Sequence, residues 1–153
     1  MKASIRYGRS AALVLAFLLS LMMMMMPPNM AYAATKYTAT GSETAAQLTA
    51  IIDGTTTDAA GNKYDVVEFP AGTYNYNMTA PIHIRRAVTI KADAGANVTL
   101  VGGDFRGYAN SNITFTGAGT FLLKNPNTYG IWSNDASVKF NFDHTNFTID
   151  GAP

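Results

Sequence analysis

Two aspartates, Asp93 and Asp143, have a spacing that could support hydrolysis of a glycosidic bond. Their separation is twice the interval, about 25 residues, at which short apolar segments recur along the chain. If the chain coils with that period, the two residues stack in one column, two coils apart. Their backbone positions are then about 10 Å apart. Inverting glycosidases hold their carboxyl groups about 6.5 to 9.5 Å apart, so the side chains could reach that geometry. The alternative is turn formation, because Asp often hydrogen-bonds to its own backbone in turns.

A second acidic cluster lies near the end of the chain. His144 follows Asp143 directly, and Asp150 lies close behind. One histidine beside two carboxylates suits acid–base catalysis or a metal site. The alternative is a solvated turn. We therefore treat Asp93, Asp143 and His144 as candidate catalytic residues and assign no metal site from the sequence.

A basic segment contains His83, Arg85 and Arg86. His83 lies between Ile82 and Ile84, so strand alternation directs its side chain outward if the two isoleucines face a core. Together with the arginines it could bind an acidic sugar, and a solvated rim of the molecule is the alternative.

Two aromatic residues are candidates for ligand binding. Tyr108 and Trp132 are separated by about one repeat of 25 residues. Both lie in Gly-rich sequence outside the recurring apolar segments, and Tyr129 lies near Trp132 in sequence. A separation of about one repeat predicts that the rings lie on the same face of adjacent coils. Exposed aromatic rings can bind the apolar face of a sugar while polar neighbours bind its hydroxyl groups. The alternative is that the rings only cover the surface.

The N-terminal segment up to Ala33 has the layout of a secretory signal peptide. Residues 2–9 contain Lys2, Arg6 and Arg9, residues 11–26 are apolar apart from one serine, and the small-x-small step Ala31-Tyr32-Ala33 follows. An uncleaved membrane anchor is the alternative, but the apolar run is shorter than the roughly 20 residues a spanning helix needs. We predict cleavage after Ala33 and secretion, and the pattern resembles bacterial leaders.

The composition of the remaining chain excludes several classes of protein. Loss of the three leader cations would leave eight basic and ten acidic residues in 34–153, a net charge of −2. The chain contains no cysteine. It is therefore not a disulfide scaffold, a zinc–cysteine domain, a strongly basic nucleic-acid binder or a multidomain enzyme. After signal cleavage we expect no membrane association.

One amphipathic helix is predicted over residues 43–53, after a lead-in segment at 34–42. Within the helix Leu48, Ile51 and Ile52 have the spacing of one helical face. Thr40 and Glu43 have the spacing of a capping box, with Ser42 as the competing N-cap, and Gly54 is placed to end the helix.

The rest of the chain carries a repeat of short alternating segments. Three similar segments start at Val88, Ile113 and Val138, at a constant interval. They predict two interior columns, Val88–Ile113–Val138 and Ile90–Phe115–Phe140, with the intervening polar residues facing outward.

Further strands follow each of these segments. We expect second strands at 98–101, 120–123 and 146–149, and short third strands near Phe105 and Ile131-Trp132. A period of about 25 residues built only of short strands is typical of a β-solenoid, whose coils stack to bury one continuous interior. An antiparallel sandwich is the alternative, but it has no reason to keep a constant interval.

The segment Val66–Tyr74 contains the motif VxFPAGTY and follows the predicted helix and a polar turn. This arrangement resembles the N-terminal portion of the pectate-lyase-like superfamily. The resemblance implies a right-handed parallel β-helix of about three to four coils, with the helix capping its first coil. It also implies a link to polysaccharide-degrading enzymes, among them calcium-dependent pectate lyases. The catalytic motifs of those enzymes are not present, so no catalytic residue is carried over and no cofactor is identified; calcium follows from the resemblance alone.

Two functional hypotheses follow. The first is the N-terminal part of an exported pectate lyase or polygalacturonase-like enzyme, inactive by itself because its active site lies on other coils. The second is a noncatalytic surface or secreted β-helix that binds glycan. No C-terminal cap is evident after residue 149, so we expect residues 43–153 to be a truncated β-helix or to self-associate through the open last coil.

Overall fold

The computed structural model describes residues 33–143 and 146–151. They form one helix, α1 (Ala45–Asp53), and twelve strands. The strands are β1 (Lys36–Thr38), β2 (Val66–Phe69), β3 (Gly72–Asn77), β4 (Ile82–Ile84), β5 (Ala87–Ala92), β6 (Ala96–Val101), β7 (Phe105–Gly107), β8 (Asn112–Thr116), β9 (Thr120–Lys124), β10 (Ile131–Ser133), β11 (Lys139–Asp143) and β12 (Asn146–Asp150). The predicted signal peptide lies outside the described residues except for Ala33, and His144 lies outside them too. In the described part of the chain, no helix has the length and apolar character needed to cross a membrane.

The strands build three parallel sheets. The first sheet has the order β1-β2-β5-β8-β11, the second β3-β6-β9-β12 and the third β4-β7-β10. From β2 onward, consecutive strands lie in different sheets, so the chain passes through all three and returns to the first. This is a parallel β-solenoid of about three turns, with β11 and β12 beginning another. The predicted second strands, and the short third strands β7 and β10, are confirmed.

The interior of the solenoid is filled by the apolar side chains that alternate along each strand. Phe121 lies near its centre, with its ring centroid 6.2 Å from Phe69, 6.0 Å from Phe105 and 5.6 Å from Phe115. All four rings are almost fully buried. Burial of one such side chain is worth about 1.5 to 3 kcal/mol, so residues distant in sequence stabilise the same interior.

The predicted columns are confirmed for two coils and wrong for the last one. Val88 pairs with Ile113 and Ile90 with Phe115. In the next coil Phe140, not Val138, pairs with Ile113, and Phe142 pairs with Phe115. A shift of two residues keeps the same face inward, so the alternating pattern fits either register. Link lengths change between coils: residues 125–130 join β9 to β10, whereas 102–104 join β6 to β7.

The helix starts two residues later than predicted. Thr44 is the N-cap and forms the capping box with Gln47, so the predicted box of Thr40 and Glu43 is wrong. Glu43 instead accepts hydrogen bonds from the loop before the helix. The predicted end is confirmed, because Gly54 adopts a left-handed conformation after Asp53. The predicted apolar face is buried in the core: Leu48, Ile51 and Ile52.

The lead-in segment contains a strand that the sequence did not reveal. Strand β1 pairs in parallel with β2 and lengthens the first sheet beyond the first coil. It is three residues long, with only Tyr37 packed against the core between the exposed Lys36 and Thr38, so it is too short to show a pattern of alternation. The strand therefore depends on its neighbour in the fold for its stability.

The turn within the motif VxFPAGTY forms as predicted. Strand β2 ends at Phe69, the turn contains Pro70 and Ala71, and β3 begins at Gly72. Proline lacks an amide hydrogen and cannot continue the hydrogen-bonded strand, which explains where β2 ends. The motif thus forms the corner between the first and second sheets.

Candidate functional site

The candidate site lies on the outward side of the third sheet. In β4, β7 and β10, the residues Ile82, Phe105 and Ile131 are in register. The next residue of each strand faces the other way because strand side chains alternate. Those residues form a column of three outward side chains, in the order His83, Arg106 and Trp132.

Tyr108 lies beside this column, just after β7. Its ring stacks on His83, with centroids 5.5 Å apart and planes inclined by 23°. Its hydroxyl lies 2.6 Å from Nδ1 of His83, within hydrogen-bonding distance. The guanidinium carbon of Arg85 lies 4.0 Å from the centroid of the Tyr108 ring, which is a cation–π contact. The edge of the cluster is Trp132, whose ring centroid is 6.0 Å from that of Tyr108.

These five residues, His83, Arg85, Arg106, Tyr108 and Trp132, are called the aromatic–basic face below. Arg85 is exposed, and the other four side chains are partly buried. The face therefore combines two aromatic rings, two guanidinium groups and one imidazole on a solvent-accessible surface. Such a surface can bind the apolar side of a ring and an anionic group at the same time.

A buried carboxylate binds Arg106 on the inner side of this face. Asp104 is fully buried, and its Oδ2 accepts a hydrogen bond of 3.2 Å from Nη2 of Arg106. Its Oδ1 accepts from the backbone amides of Thr128 and Gly130, each at 3.3 Å. Nη2 of Arg106 also donates to the hydroxyl of Thr128 at 3.3 Å. Asp104 thus both binds the loop before β10 and orients Arg106.

Part of this face was predictable from the sequence. Tyr108 and Trp132 lie on the same face of adjacent coils, as their separation of about one repeat predicts, and their rings are in contact. Their role in ligand binding stays a prediction. Tyr129 is 58% exposed, and among the described residues no ring contact joins it to this face. Arg106 and Asp104 were missed, although the position of Arg106 directly after the apolar Phe105 marked it as outward.

Arg85 and Arg86 have different roles, although the sequence grouped them. Arg85 joins the aromatic–basic face. Nη2 of Arg86 donates to the carbonyl oxygens of Ile51 and Ile52, at 3.2 and 2.9 Å, near the C-terminus of α1. Burial lowers the pKa of Arg86. Arg86 satisfies carbonyl groups that a helix leaves without an internal partner, so it has a structural role.

The predicted shared column of Asp93 and Asp143 is wrong. Asp143 pairs with Thr116, and Thr116 pairs with Lys91, so the longer last repeat puts Asp143 in the column of Lys91. Asp93 instead forms an ion pair with Lys91 at 2.8 Å. The geometry therefore gives no support to a catalytic carboxylate pair, and catalysis by these residues stays a prediction. His144 lies outside the described residues.

An ionic ladder runs along the outward side of the first sheet. Glu68 forms ion pairs with Lys36 at 2.6 Å and with Lys91 at 2.9 Å. Hydrogen bonds from these two lysines lower the pKa of Glu68. Hydrogen bonds to Asp93 and Glu68 raise the pKa of Lys91. The ladder joins strands of neighbouring coils, and its charges already have partners.

Glu43 is a second carboxylate with several hydrogen bonds. Its oxygens accept from the backbone amides of Thr40 and Gly41 and from the hydroxyl groups of Tyr37 and Tyr76, at 2.7 to 3.0 Å. Burial raises the pKa of Glu43, but hydrogen bonds, chiefly from Thr40 and Tyr37, lower it by more, to about 2. A hollow of about 380 Å³ lies beside it. With its acceptor sites occupied, Glu43 connects the loop before α1 to β3.

The described part of the chain shows no arrangement of side chains that could hold a metal ion. Among residues 33–143 and 146–151, no group of three or more His, Asp or Glu side chains is arranged to hold a metal ion. The calcium that the family resemblance implied therefore stays a prediction.

Comparison with known proteins yields no relative for this chain: no protein-family model, curated protein or solved structure matches it.

Proposed function

We propose that this protein is an exported β-solenoid that binds an acidic glycan through its aromatic–basic face. The observation that carries the proposal is the contact of Trp132 with Tyr108, 6.0 Å between ring centroids, beside the guanidinium groups of Arg85 and Arg106. Aromatic rings bind the C–H face of a sugar, and guanidinium groups bind carboxylate groups.

Each residue has a distinct part in this proposal. The Tyr108 ring is already in contact with His83 and with Arg85, so it serves mainly to hold these two side chains in place. Trp132 is at the edge of the cluster and provides the surface on which a sugar ring would stack. Arg106, fixed by Asp104, lies next to Trp132 in the column and would bind a carboxylate of the ligand.

The attraction for an acidic ligand has to be local. The segment 34–153 carries a net charge of −2, so the protein as a whole does not attract polyanions. Asp104 balances the charge of Arg106, so the uncompensated positive charge beside the aromatic rings is that of Arg85, and Arg106 contributes guanidinium N–H donors. Binding would therefore depend on the match between ligand and face, and salt would weaken it only in part.

Export and the finer features of the fold belong to the same proposal. The layout of residues 1–33 supports a cleaved signal peptide, secretion and a bacterial origin. The motif VxFPAGTY at the first corner supports membership of the pectate-lyase-like superfamily and a right-handed coil. Burial of Leu48, Ile51 and Ile52 in the same core as the first strands supports a capping role for α1.

A second candidate function is the N-terminal part of a polysaccharide-degrading enzyme whose active site lies on other coils. The observation that favours it is the corner formed by Pro70 and Ala71 between β2 and β3, where the resemblance to pectate lyases and polygalacturonases expects it. In that case the aromatic–basic face would hold the polymer near the active site, and this chain alone would have no activity.

The fluorescence of Trp132 provides a direct test, because it is the only tryptophan in the sequence. The purified protein is titrated with polygalacturonate and, separately, with a neutral galactan. We expect the emission of Trp132 to change on saturation with the acidic polymer only. Product release from the polymer, measured in the same samples, tests the enzymatic candidate.

Variants separate this face from the rest of the surface. Arg106→Gln and Arg85→Ala should each weaken binding about tenfold, and Trp132→Ala, followed by calorimetry, should weaken it at least as much. Lys124→Ala and Lys63→Ala remove exposed cations elsewhere and should leave binding unchanged. No response of Trp132 to any acidic polymer, or equal loss in the control variants, would contradict the proposal.

A further inference from the structure

In the part of the chain that the structure describes, the last coil presents one strand edge without a partner and several exposed apolar side chains. Among the described residues, β11 pairs only with β8, and β12 only with β9. Phe142 is 50% exposed and Ile149 is 40% exposed, although both continue interior columns. With Ile131 and Phe147 they line a hollow of about 430 Å³. An open strand edge next to exposed apolar side chains is a surface for pairing with another chain.

The backbone of β11 has a defined set of groups directed to this open edge. The amide of Lys139 donates to the carbonyl of Ser111, on the β8 side. In a parallel strand, alternate residues direct both backbone groups to the same neighbour. Lys139, Asn141 and Asp143 thus bond towards β8, which leaves the amide and carbonyl groups of Phe140 and Phe142 directed to the edge.

The side chains of β11 are arranged symmetrically about its central residue. The sequence of the strand is Lys139-Phe140-Asn141-Phe142-Asp143, with a cation at one end and an anion at the other. If an identical strand pairs with it antiparallel, centred on Asn141, each Lys139 lies opposite an Asp143 and each Phe140 lies opposite a Phe142. Parallel pairing in register would instead place like charges opposite each other, which is unfavourable.

The hydrogen-bonding groups fit the same register. In an antiparallel pair, residues that exchange two hydrogen bonds alternate with residues that exchange none. Phe140 and Phe142, whose groups are directed to the edge, would form the bonded pairs. Asn141 would form the nonbonded pair, as would Lys139 and Asp143, and in nonbonded pairs the side chains are closer together.

We propose that this edge binds a second copy of the chain, with β11 of the two copies antiparallel across a twofold axis at Asn141. Pairing in this way continues the first sheet from one copy into the other. The exposed apolar side chains around Phe142 in the two copies then cover each other. A twofold contact of one surface with itself is closed, so the product is a dimer and not a fibre. The proposed contact is made by β11 of the first sheet, whereas the aromatic–basic face is on the outward side of the third sheet.

Charge reversal at the two ends of β11 tests the register. The mass of the wild-type protein in solution, measured by sedimentation equilibrium, should be that of a dimer. Lys139→Asp places two carboxylates opposite each other at both ends of the paired strands, and Asp143→Lys places two ammonium groups there. Each variant should dimerise at least about tenfold more weakly than the wild type.

Combining the two changes should restore dimerisation. An equimolar mixture of Lys139→Asp and Asp143→Lys should form mixed dimers, because opposite charges then face each other at both ends. The double variant Lys139→Asp/Asp143→Lys should dimerise like the wild type for the same reason. A variant that had merely lost its fold could not be rescued by mixing, so this result separates pairing from misfolding.

The control is Lys63→Asp, which makes the same charge change on an exposed residue of the turn segment before β2. It should leave the dimer unchanged. A monomeric wild-type protein would overturn the proposal. A dimer unaffected by either charge reversal, or not restored by mixing, would overturn the register proposed.

Discussion

The hydroxyl of Tyr108 lies 2.6 Å from Nδ1 of His83, although 25 residues separate the two in the sequence. The contact joins the middle of β4 to the residue that follows β7, and these two strands belong to consecutive coils of the third sheet. It is therefore a connection between coils on the outside of the solenoid, whereas most other connections are backbone pairing and interior packing.

Removal of this hydroxyl should affect stability more than ligand binding. Tyr108→Phe keeps the ring that contacts Arg85 and His83 but loses the hydrogen bond, which is worth about 0.5 to 1.5 kcal/mol. We expect a loss of that size in the free energy of urea unfolding, with polygalacturonate affinity almost unchanged. Tyr108→Ala removes the ring as well and should reduce both. If Tyr108→Phe and Tyr108→Ala reduce affinity equally, the hydroxyl contacts the ligand.

Gly117 is required by a close approach of the backbone of two coils. A Cβ atom at this position would lie 2.0 Å from the carbonyl oxygen of Ala92, and φ is +99°. We expect Gly117→Ala to destabilise the protein by more than about 3 kcal/mol, measured by urea unfolding. Gly61→Ala is the control, because its φ is +83° but a Cβ there contacts nothing within 4 Å. It should cost only about 1 kcal/mol, so similar losses would refute the importance of the close approach.

Neighbouring apolar residues of β9 should respond very differently to truncation. Phe121 is 2% exposed and its ring contacts others from every coil, whereas Leu122 faces outward and is only partly buried. Phe121→Ala should cost about 3 to 5 kcal/mol in unfolding free energy, and Leu122→Ala less than about 1.5 kcal/mol. A loss at Leu122 as large as that at Phe121 would show that β9 has the opposite face inward.

Glu43 should make part of the stability dependent on acid. Its pKa is lowered to about 2 in the folded protein, from an ordinary value of 4.5. A carboxylate with a depressed pKa stabilises the fold above its unfolded pKa, and this contribution disappears as the pH falls through the folded pKa. Stability should therefore fall between pH 4.5 and about 2. Glu43→Gln should be less stable at pH 7 and should show a shallower decline in that range in thermal unfolding followed by circular dichroism. If Glu43→Gln left the pH dependence of stability unchanged, Glu43 would not be the group responsible.

Arg85 and Arg86 should have opposite phenotypes. Arg85→Ala removes an exposed cation from the aromatic–basic face, so affinity for polygalacturonate should fall while stability changes by less than about 0.5 kcal/mol. Arg86→Ala leaves the carbonyl groups of Ile51 and Ile52 without this donor and should cost about 1 to 3 kcal/mol with affinity unchanged. Paired urea-unfolding and titration experiments on both variants decide this. Loss of affinity in Arg86→Ala at full stability would reassign that residue to the ligand site.

Much of the fold was predictable because it depends on residues that are neighbours in the sequence. Alternating apolar and polar residues in segments such as Val88–Lys91 determine which side faces inward, and their recurrence at a constant interval predicts stacked parallel strands. The turn at Pro70 and the end of α1 at Gly54 were predictable for a similar reason. Each depends on the conformational restriction or freedom of one residue.

The register of the last coil could not be read from the same pattern. Phe140 and Val138 are next-but-one neighbours and face the same way, so either could have continued the column of Ile113. The choice depends on how many residues the links between strands accommodate. Asp143 consequently lies in the column of Lys91 and not in that of Asp93.

For the candidate site, the sequence by itself determined that two aromatic residues share a face: the spacing of Tyr108 and Trp132 by about one repeat was enough to predict their placement on adjacent coils. Only the tertiary structure decided that Arg85 joins them while Arg86 binds α1, and that Asp104 is buried beneath Arg106. The physical reason is that alternation sets the side to which a residue points, whereas its partners come from other coils, through a register that local sequence does not encode.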